Sequence, residues 1–272
     1  MSDRFNLAGR RIVITGGGGV LCGDLARSLA QDGARIAVLD IDEAAAQSVT
    51  RVIREHGGEA LAATCDVTSV ASLAQAAQRI ERELGPVDAL VNGAGGNRAA
   101  ASTSEQRSFF ELPVEALRSV LDLNLLGTIL PSQTFGRQMA ERKRGVILNI
   151  ASLNAFRPLT NIPAYSAAKA AVVNFTQWFA VHMCRTYSPQ IRVNAIAPGF
   201  FITQQNRFLL MDENAGELTP RGRTITEHTP MGRFGRPEDI VGTASWLLSD
   251  ASAFVTGIVV TVDGGFAAYS GV

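Results

Sequence analysis

Residues 11–15, RIVIT, form a short run of apolar and β-branched side chains that ends on four consecutive glycines, Gly16–Gly19. A continuous run of this length predicts a strand buried on both faces, as in a parallel sheet covered by helices. Helical spacing follows through about Gln31, and the pattern then repeats. ARIAVLD (34–40) reads as a second strand, Glu43–Glu55 as a helix and EALAATCDV (59–67) as a third strand. A further helix ends near Leu84, where Gly85-Pro86 stops it, and Asp88–Asn92 is a fourth strand. Long helices are predicted after Pro113 and near Pro163, with strands in GVILNIAS, IRVNAIAPG and GIVVTVDGG and a helix in PEDIVGTASWLLS.

About seven strands alternating with helices predict an α/β fold: a single-domain, Rossmann-type, doubly wound parallel sheet with helices on both faces. No linker, repeat or low-complexity stretch divides the 272 residues, so one domain is expected. The rhythm breaks from Phe200 to Arg236. A long irregular stretch after the carboxyl end of a strand predicts a substrate lid, with a tolerated insertion as the plainer reading.

Charge excludes some function classes. Lys plus Arg equals Asp plus Glu, 25 against 25, so the chain lacks the electrostatic reach that nucleic acid or an anionic membrane surface requires. Arg142, Lys143 and Arg144 follow Glu141 and read as the solvated end of a helix before Gly145. The start, MSDRFNLAGR, lacks the apolar stretch of a signal peptide, and no apolar run is long enough to span a membrane. Cys22, Cys65 and Cys184 are unpatterned, which suits a reducing, cytoplasmic setting. With three histidines in the chain, no metal site is expected.

Thr15 and the glycines lie between a strand and a helix. There glycine permits a tight turn and close backbone approach, so a pyrophosphate can rest on the helix N-terminus. Asp40 ends the second strand, where a carboxylate accepts both adenosine ribose hydroxyls and repels a 2′-phosphate, which favours NAD over NADP. Tyr165 and Lys169 stand four apart and share a helix face. A cation beside a phenol favours the phenolate, and a phenol so tuned serves as an acid or base; taken alone, the pair also fits an ordinary helix surface. Ser152 follows the fifth strand, and Asn124 sits mid-helix, where an amide is a poor choice unless it faces solvent or is used.

Taken together, Thr15-Gly16, Asp66-Val67, Asn92-Gly93-Ala94-Gly95, Asn124, Ser152, Tyr165, Lys169 and Pro198-Gly199 resemble the short-chain dehydrogenase/reductase family over essentially the whole chain. The resemblance implies that Tyr165 is the catalytic acid/base, Lys169 binds the nicotinamide ribose and tunes Tyr165, Ser152 orients the reacting oxygen and Asn124 holds a relay water. It implies NAD(H) contacts at Thr15, Gly16, Gly18, Gly19, Val20 and Leu21, at Asp40 and Ile41, and with adenine at Asp66 and Val67. Asn92, Gly93, Ala94 and Gly95 would support the cofactor's middle, and Ile196, Pro198, Gly199 and Thr203 its nicotinamide end. The chain departs from the family pattern at Val20 and Cys22, where glycines are usual, at Gly93, where Asn is usual, and at Ala151, where Ser is usual. Val20 puts a local change in the pyrophosphate turn in prospect.

On the substrate side, SLNAFRPLTNIPAYSAAKAA, APGFFITQQNR, TPMGRFGRPED and VDGGFAAYSGV resemble the D-mannonate oxidoreductase (fructuronate reductase) subgroup. That implies interconversion of a secondary alcohol and a ketone on a sugar acid. Asn97, Asn154, Arg157, Gln204, Asn206 and Arg207 are the candidate substrate contacts, arginine for the carboxylate and the amides for hydroxyls. Other enzymes of the same fold, acting on a neutral polyol, gluconate or a 3-oxoacyl thioester, remain alternatives, since Phe200, Phe201 and Phe208–Met211 would suit an apolar substrate. A non-catalytic dinucleotide sensor is a remote one. The resemblance also implies a homotetramer, with no nucleic-acid or membrane partner.

Overall fold

The computed structural model describes residues 3–203, 207–212 and 216–271. The strands are β1 (Arg11–Thr15), β2 (Arg35–Asp40), β3 (Ala60–Thr64), β4 (Ala89–Asn92), β5 (Gly145–Ile150), β6 (Ile191–Pro198) and β7 (Val259–Val262). They form one sheet in the order β3-β2-β1-β4-β5-β6-β7, every pair parallel. The order reverses beside β1, where Thr15 pairs with Leu39 on one side and Asn92 on the other. The crevice at that switch point is where open α/β sheets take their ligands.

The connecting helices are α1 (Val20–Gln31), α2 (Glu43–Glu55), α3 (Val70–Leu84), α4 (Val114–Leu121), α5 (Gly127–Glu141) and α6 (Pro163–Thr186). Beyond β6 come α7 (Arg207–Leu210), α8 (Pro220–His228) and α9 (Val241–Leu248). Side chains alternate from one face of the sheet to the other, which gives two apolar layers. Ile12, Ile14, Leu25, Leu29 and Leu247 belong to one, and Val13, Leu73, Phe135, Met139 and Val193 to the other. Among the described residues, no helix is long and apolar enough to cross a membrane.

Two sequence-based expectations are corrected. The stretch 200–236 is not irregular throughout: the Thr219 side chain accepts from Gly222 N at 3.0 Å and Pro220 opens α8, a capped start with Pro at N1. Nor is Arg142 a purely solvated helix end. Its guanidinium reaches Asp88 Oδ1 at 3.2 Å and the carbonyl of Val87.

Candidate active site

The turn after β1 depends on one left-handed residue, Gly16, at φ 64°, where a Cβ would stand 2.7 Å from Ala94 Cα. A Cβ at Gly18 would meet Ala45 Cβ at 2.6 Å. Gly18 N donates to Asp40 Oδ2 at 2.9 Å and Asp42 N to Asp40 Oδ1 at 3.1 Å, so Asp40 shapes the turn and keeps lone pairs free for further donors. Val20 does not disturb this geometry, because it is already the first residue of α1 and needs no positive φ. Gly19 caps α1 without a side-chain acceptor, which leaves first-turn N–H groups to receive an anion. Leu21 follows Val20 in this first turn, and Ile41 is exposed beyond the end of β2.

Two departures from the family pattern prove to be a single feature. A Cβ at Gly93 would overlap Cys22 Sγ outright and lie 2.8 Å from the Thr15 carbonyl, so the Cys22 thiol demands glycine across from it. Burial pushes that thiol up to about 12, so it stays a neutral space-filling group. Gly93→Ala is expected to lower stability by about 1–3 kcal/mol through overpacking. Adding Cys22→Ala should recover part of that loss, read as thermal midpoints in a double-mutant cycle.

Thr15 Oγ1 accepts from Gly93 N at 3.1 Å and Ala94 N at 3.2 Å, tying β1 to the bend after β4. Asp66 Oδ1 is taken up locally by Thr68 N at 2.8 Å and Thr68 Oγ1 at 2.7 Å, while Val67 is buried against Gly127. Asn92 Nδ2 donates to Ser132 Oγ at 2.9 Å and Asn149 Oδ1 at 2.8 Å, and Asn149 Nδ2 donates to Thr176 Oγ1 at 2.8 Å. Asn92 Oδ1 is buried with no partner among the described residues. Sequence reasoning missed Ser132, Asn149 and Thr176. The available signal was Asn149, an amide in the middle of a run, GVILNI, that is buried throughout.

Asn124 lies in a π-helical turn, Asp122–Leu126, between α4 and α5. The extra residue per turn loosens the local ladder and aims the fully buried amide at the β4 bend. Its Nδ2 donates to Gly96 O at 2.7 Å and Val120 O at 2.8 Å, and its Oδ1 accepts from Gly96 N at 3.1 Å. A Cβ at Gly95 would come within 2.7 Å of Asn124 Oδ1 and 3.2 Å of Lys169 Nζ, so a glycine there lets the three groups converge.

Tyr165 and Lys169 stand on the first turns of α6, which Pro163 opens. Lys169 is 4% exposed and donates to Ile150 O at 2.8 Å, and burial lowers its pKa to about 8. Its Nζ lies 5.6 Å from the Tyr165 ring centroid. The expectation that Lys169 lowers the Tyr165 pKa is not met: burial raises the phenol above its ordinary value of 10, with a hydrogen bond to Ser152 opposing. Ser152 Oγ accepts from Asn154 N and Nδ2, both at 3.2 Å, and Asn154 Oδ1 accepts from Leu159 N at 3.1 Å, so the buried Asn154 holds the serine loop.

The substrate candidates are more scattered. Arg157 Nε and Nη2 donate to Ala267 O at 3.3 and 3.2 Å, so the fork expected to take a carboxylate holds the C-terminal segment instead. Asn97 Nδ2 donates to Ser102 Oγ at 2.8 Å, and Arg207 is exposed at the start of α7. Gln204 and Asn206 lie outside the described residues. Pro198 ends β6, Gly199 N donates to Val262 O at 2.9 Å and Arg207 N to Thr203 O at 2.9 Å. The apolar C-terminal segment folds back on its own chain: Phe266 packs against Phe200 and His228, centroids 5.0 and 4.7 Å apart.

A family model described as enoyl-(acyl carrier protein) reductase matches residues 21–267. The chain belongs to the short-chain dehydrogenase/reductase family. It is therefore an NAD(P)-dependent oxidoreductase. It is 46% identical to the oxidoreductase UxuB of Bacillus subtilis (strain 168) over 276 residues, covering 98% of each chain. Among solved structures it is similar to a proposed D-mannonate oxidoreductase of Haemophilus influenzae with bound NAD, at 45% identity, TM-score 0.91 and 98% of each chain. A gluconate 5-dehydrogenase of Burkholderia cenocepacia, in complex with NADP and tartrate, is 34% identical with TM-score 0.86, again over 98% of each chain.

Proposed function

We propose that this protein interconverts a secondary alcohol and a ketone on a sugar acid, D-mannonate and D-fructuronate first among them, using NAD(H). The observation that carries the reading is that Asn124 and Lys169 meet at Gly95 on the bend after β4, with Lys169 beside Tyr165 and Tyr165 paired with Ser152. Similarity to a proposed D-mannonate oxidoreductase and to a gluconate dehydrogenase supports the substrate class.

The cleft fits a dinucleotide. Gly16 and Gly18 let the turn pack tightly against Ala94 and Ala45, α1 presents uncapped N–H groups, and the carboxylate of Asp40 stands at the turn. When bound, the nicotinamide supplies the hydride acceptor for oxidation or the donor for reduction. In this reading Thr15, Gly16, Gly18, Gly19, Val20 and Leu21 bind the pyrophosphate. Asp40 and Ile41 take the adenosine ribose, Asp66 and Val67 the adenine, and Asn92–Gly95, Pro198, Gly199 and Thr203 the nicotinamide half. Lys169 holds the nicotinamide ribose, Ser152 fixes the reacting oxygen, Tyr165 moves its proton, and Asn124 positions a relay water. The segment 200–236 serves as the lid. With Arg157 engaged on Ala267, Arg207 is the arginine left to meet the substrate carboxylate.

Two further assignments belong to this reading. Trp178 and Val181 on α6 are 57% and 58% exposed, an apolar face that fits a homotetramer contact. Three free cysteines fit a reducing cytoplasm.

Asp40 carries the preference for NAD. Asp40→Asn keeps an acceptor for Gly18 N–H but removes the charge facing a 2′-phosphate. The ratio of kcat/KM for NAD over NADP is expected to fall about tenfold or more. The substrate reading is tested by comparing kcat/KM for D-mannonate, D-gluconate, a neutral hexitol and a 3-oxoacyl thioester with either cofactor. D-Mannonate should lead the panel, and a lead for the hexitol or the thioester would remove the sugar-acid reading.

A further inference from the structure

The edge of the sheet opposite the cofactor crevice holds a basic cavity that the oxidoreductase chemistry does not use. It measures about 560 Å³ and lies at the amino ends of β1, β5 and β6, with Arg10, Arg11, Arg144, Arg192, Asp88 and Asp250 in its lining. Both carboxylates are shared. Asp88 takes Arg11 at 2.8 Å and Arg142 at 3.2 Å, while Asp250 pairs with Arg10 at 2.6 Å and lies near Arg192. Arg144 makes no side-chain hydrogen bond or ion pair among the described residues. Four guanidiniums therefore line the cavity with two carboxylates, an excess of two positive charges, and Asp88 is shared with a fifth guanidinium, Arg142, from outside the lining.

Arg192 makes that excess costly. It is 6% exposed and its guanidinium is held by neutral acceptors, Leu247 O, Ser252 Oγ and Ser249 O, each at 2.9 Å. Burial, reinforced by Arg10 and opposed by Asp250, brings its pKa down to about 10. A partly desolvated cationic cluster with too few carboxylates is stabilised by an external anion, and guanidinium forks match the oxygens of phosphate and carboxylate groups.

We propose that this cavity binds a small multivalent oxyanion, with Arg144 and Arg10 as its outer ligands. The site is separate from the reaction crevice. It abuts the amino ends of the strands whose carboxyl ends carry Thr15 and Ser152, and it does not depend on the identity of the substrate.

The test uses the full chain with saturating NADH, so that the pyrophosphate turn is not open to the probe. Inorganic phosphate and citrate are titrated by calorimetry and by thermal midpoint, against sodium chloride at matched ionic strength. Phosphate, citrate or both should raise the midpoint by about 2–4 °C beyond chloride, and whichever binds tighter identifies the anion as phosphate-like or carboxylate-like. Arg144→Gln, at an exposed position outside the reaction crevice, should weaken binding about tenfold, and Arg10→Gln combined with it should abolish binding. Midpoint shifts no larger than those of chloride, or undiminished binding in the double variant, would overturn the proposal.

Discussion

Tyr165→Phe is expected to lower kcat by about 10²–10⁴-fold in both directions while leaving NADH affinity unchanged, because in the proposed reaction it deletes the oxygen that transfers the proton and little else. The phenol is half-buried, stands within reach of Ser152 and lies on the same face of α6 as Lys169. Its pKa, raised by burial, keeps it protonated through neutral pH, the form that in the proposed reaction donates to a ketone. Ketone reduction should therefore hold its rate at neutral pH and below, and alcohol oxidation should speed up as pH rises toward the phenol's pKa. A loss confined to KM, with kcat intact, would remove Tyr165 from the chemical step and leave it a binding residue.

Lys169→Met has the second large effect, and it is two-sided. Turnover should fall about 10²-fold or more, since the buried ammonium beside the phenol and the expected ribose contact are lost together. Stability should change in a pH-dependent way. Lys169 has a folded-state pKa of about 8, below its unfolded value of 10.5, so between those limits the unfolded chain holds more protons than the native one. Stability from this group therefore rises with pH across that window, by about 3 kcal/mol at the upper bound, and the penalty is fully present below pH 8. Lys169→Met should flatten that rise. Denaturant unfolding of both proteins at pH 7 and at pH 10 checks it, and parallel pH dependences would show that Lys169 keeps its ordinary pKa.

The sheet was readable because most of its strands are largely apolar runs bounded by glycine, proline or a cap, with Asn149, Arg192 and Asn194 as buried polar exceptions. RIVIT before four glycines and DALVN before Gly93 place the crevice from sequence alone. Asn124, Ser152, Tyr165 and Lys169 were readable as residue types at a spacing, and the fold brings them together. What escaped is held in contacts between distant positions. Cys22 and Gly93 each look like a single departure from a motif, and only packing shows that the thiol of one excludes a Cβ on the other. Arg157 reads as a carboxylate fork until Ala267 O is found in its grip. The π-helical turn at Asn124 was not legible, because Asp122–Leu126 reads as ordinary helix and the contact of Asn124 with Gly96 joins positions far apart in sequence. By contrast, α8 was marked by Thr219-Pro220 and was hidden only by the polar residues around it.

The measurement that bears most directly on this account is the appearance of NADH absorbance when D-mannonate and NAD are mixed with the purified protein, with Tyr165→Phe run alongside. The account predicts D-mannonate-dependent reduction of NAD, slower with NADP, that is lost in the variant. No NADH with D-mannonate, together with rapid NADPH formation from a neutral polyol, would contradict both the substrate and the cofactor assignment.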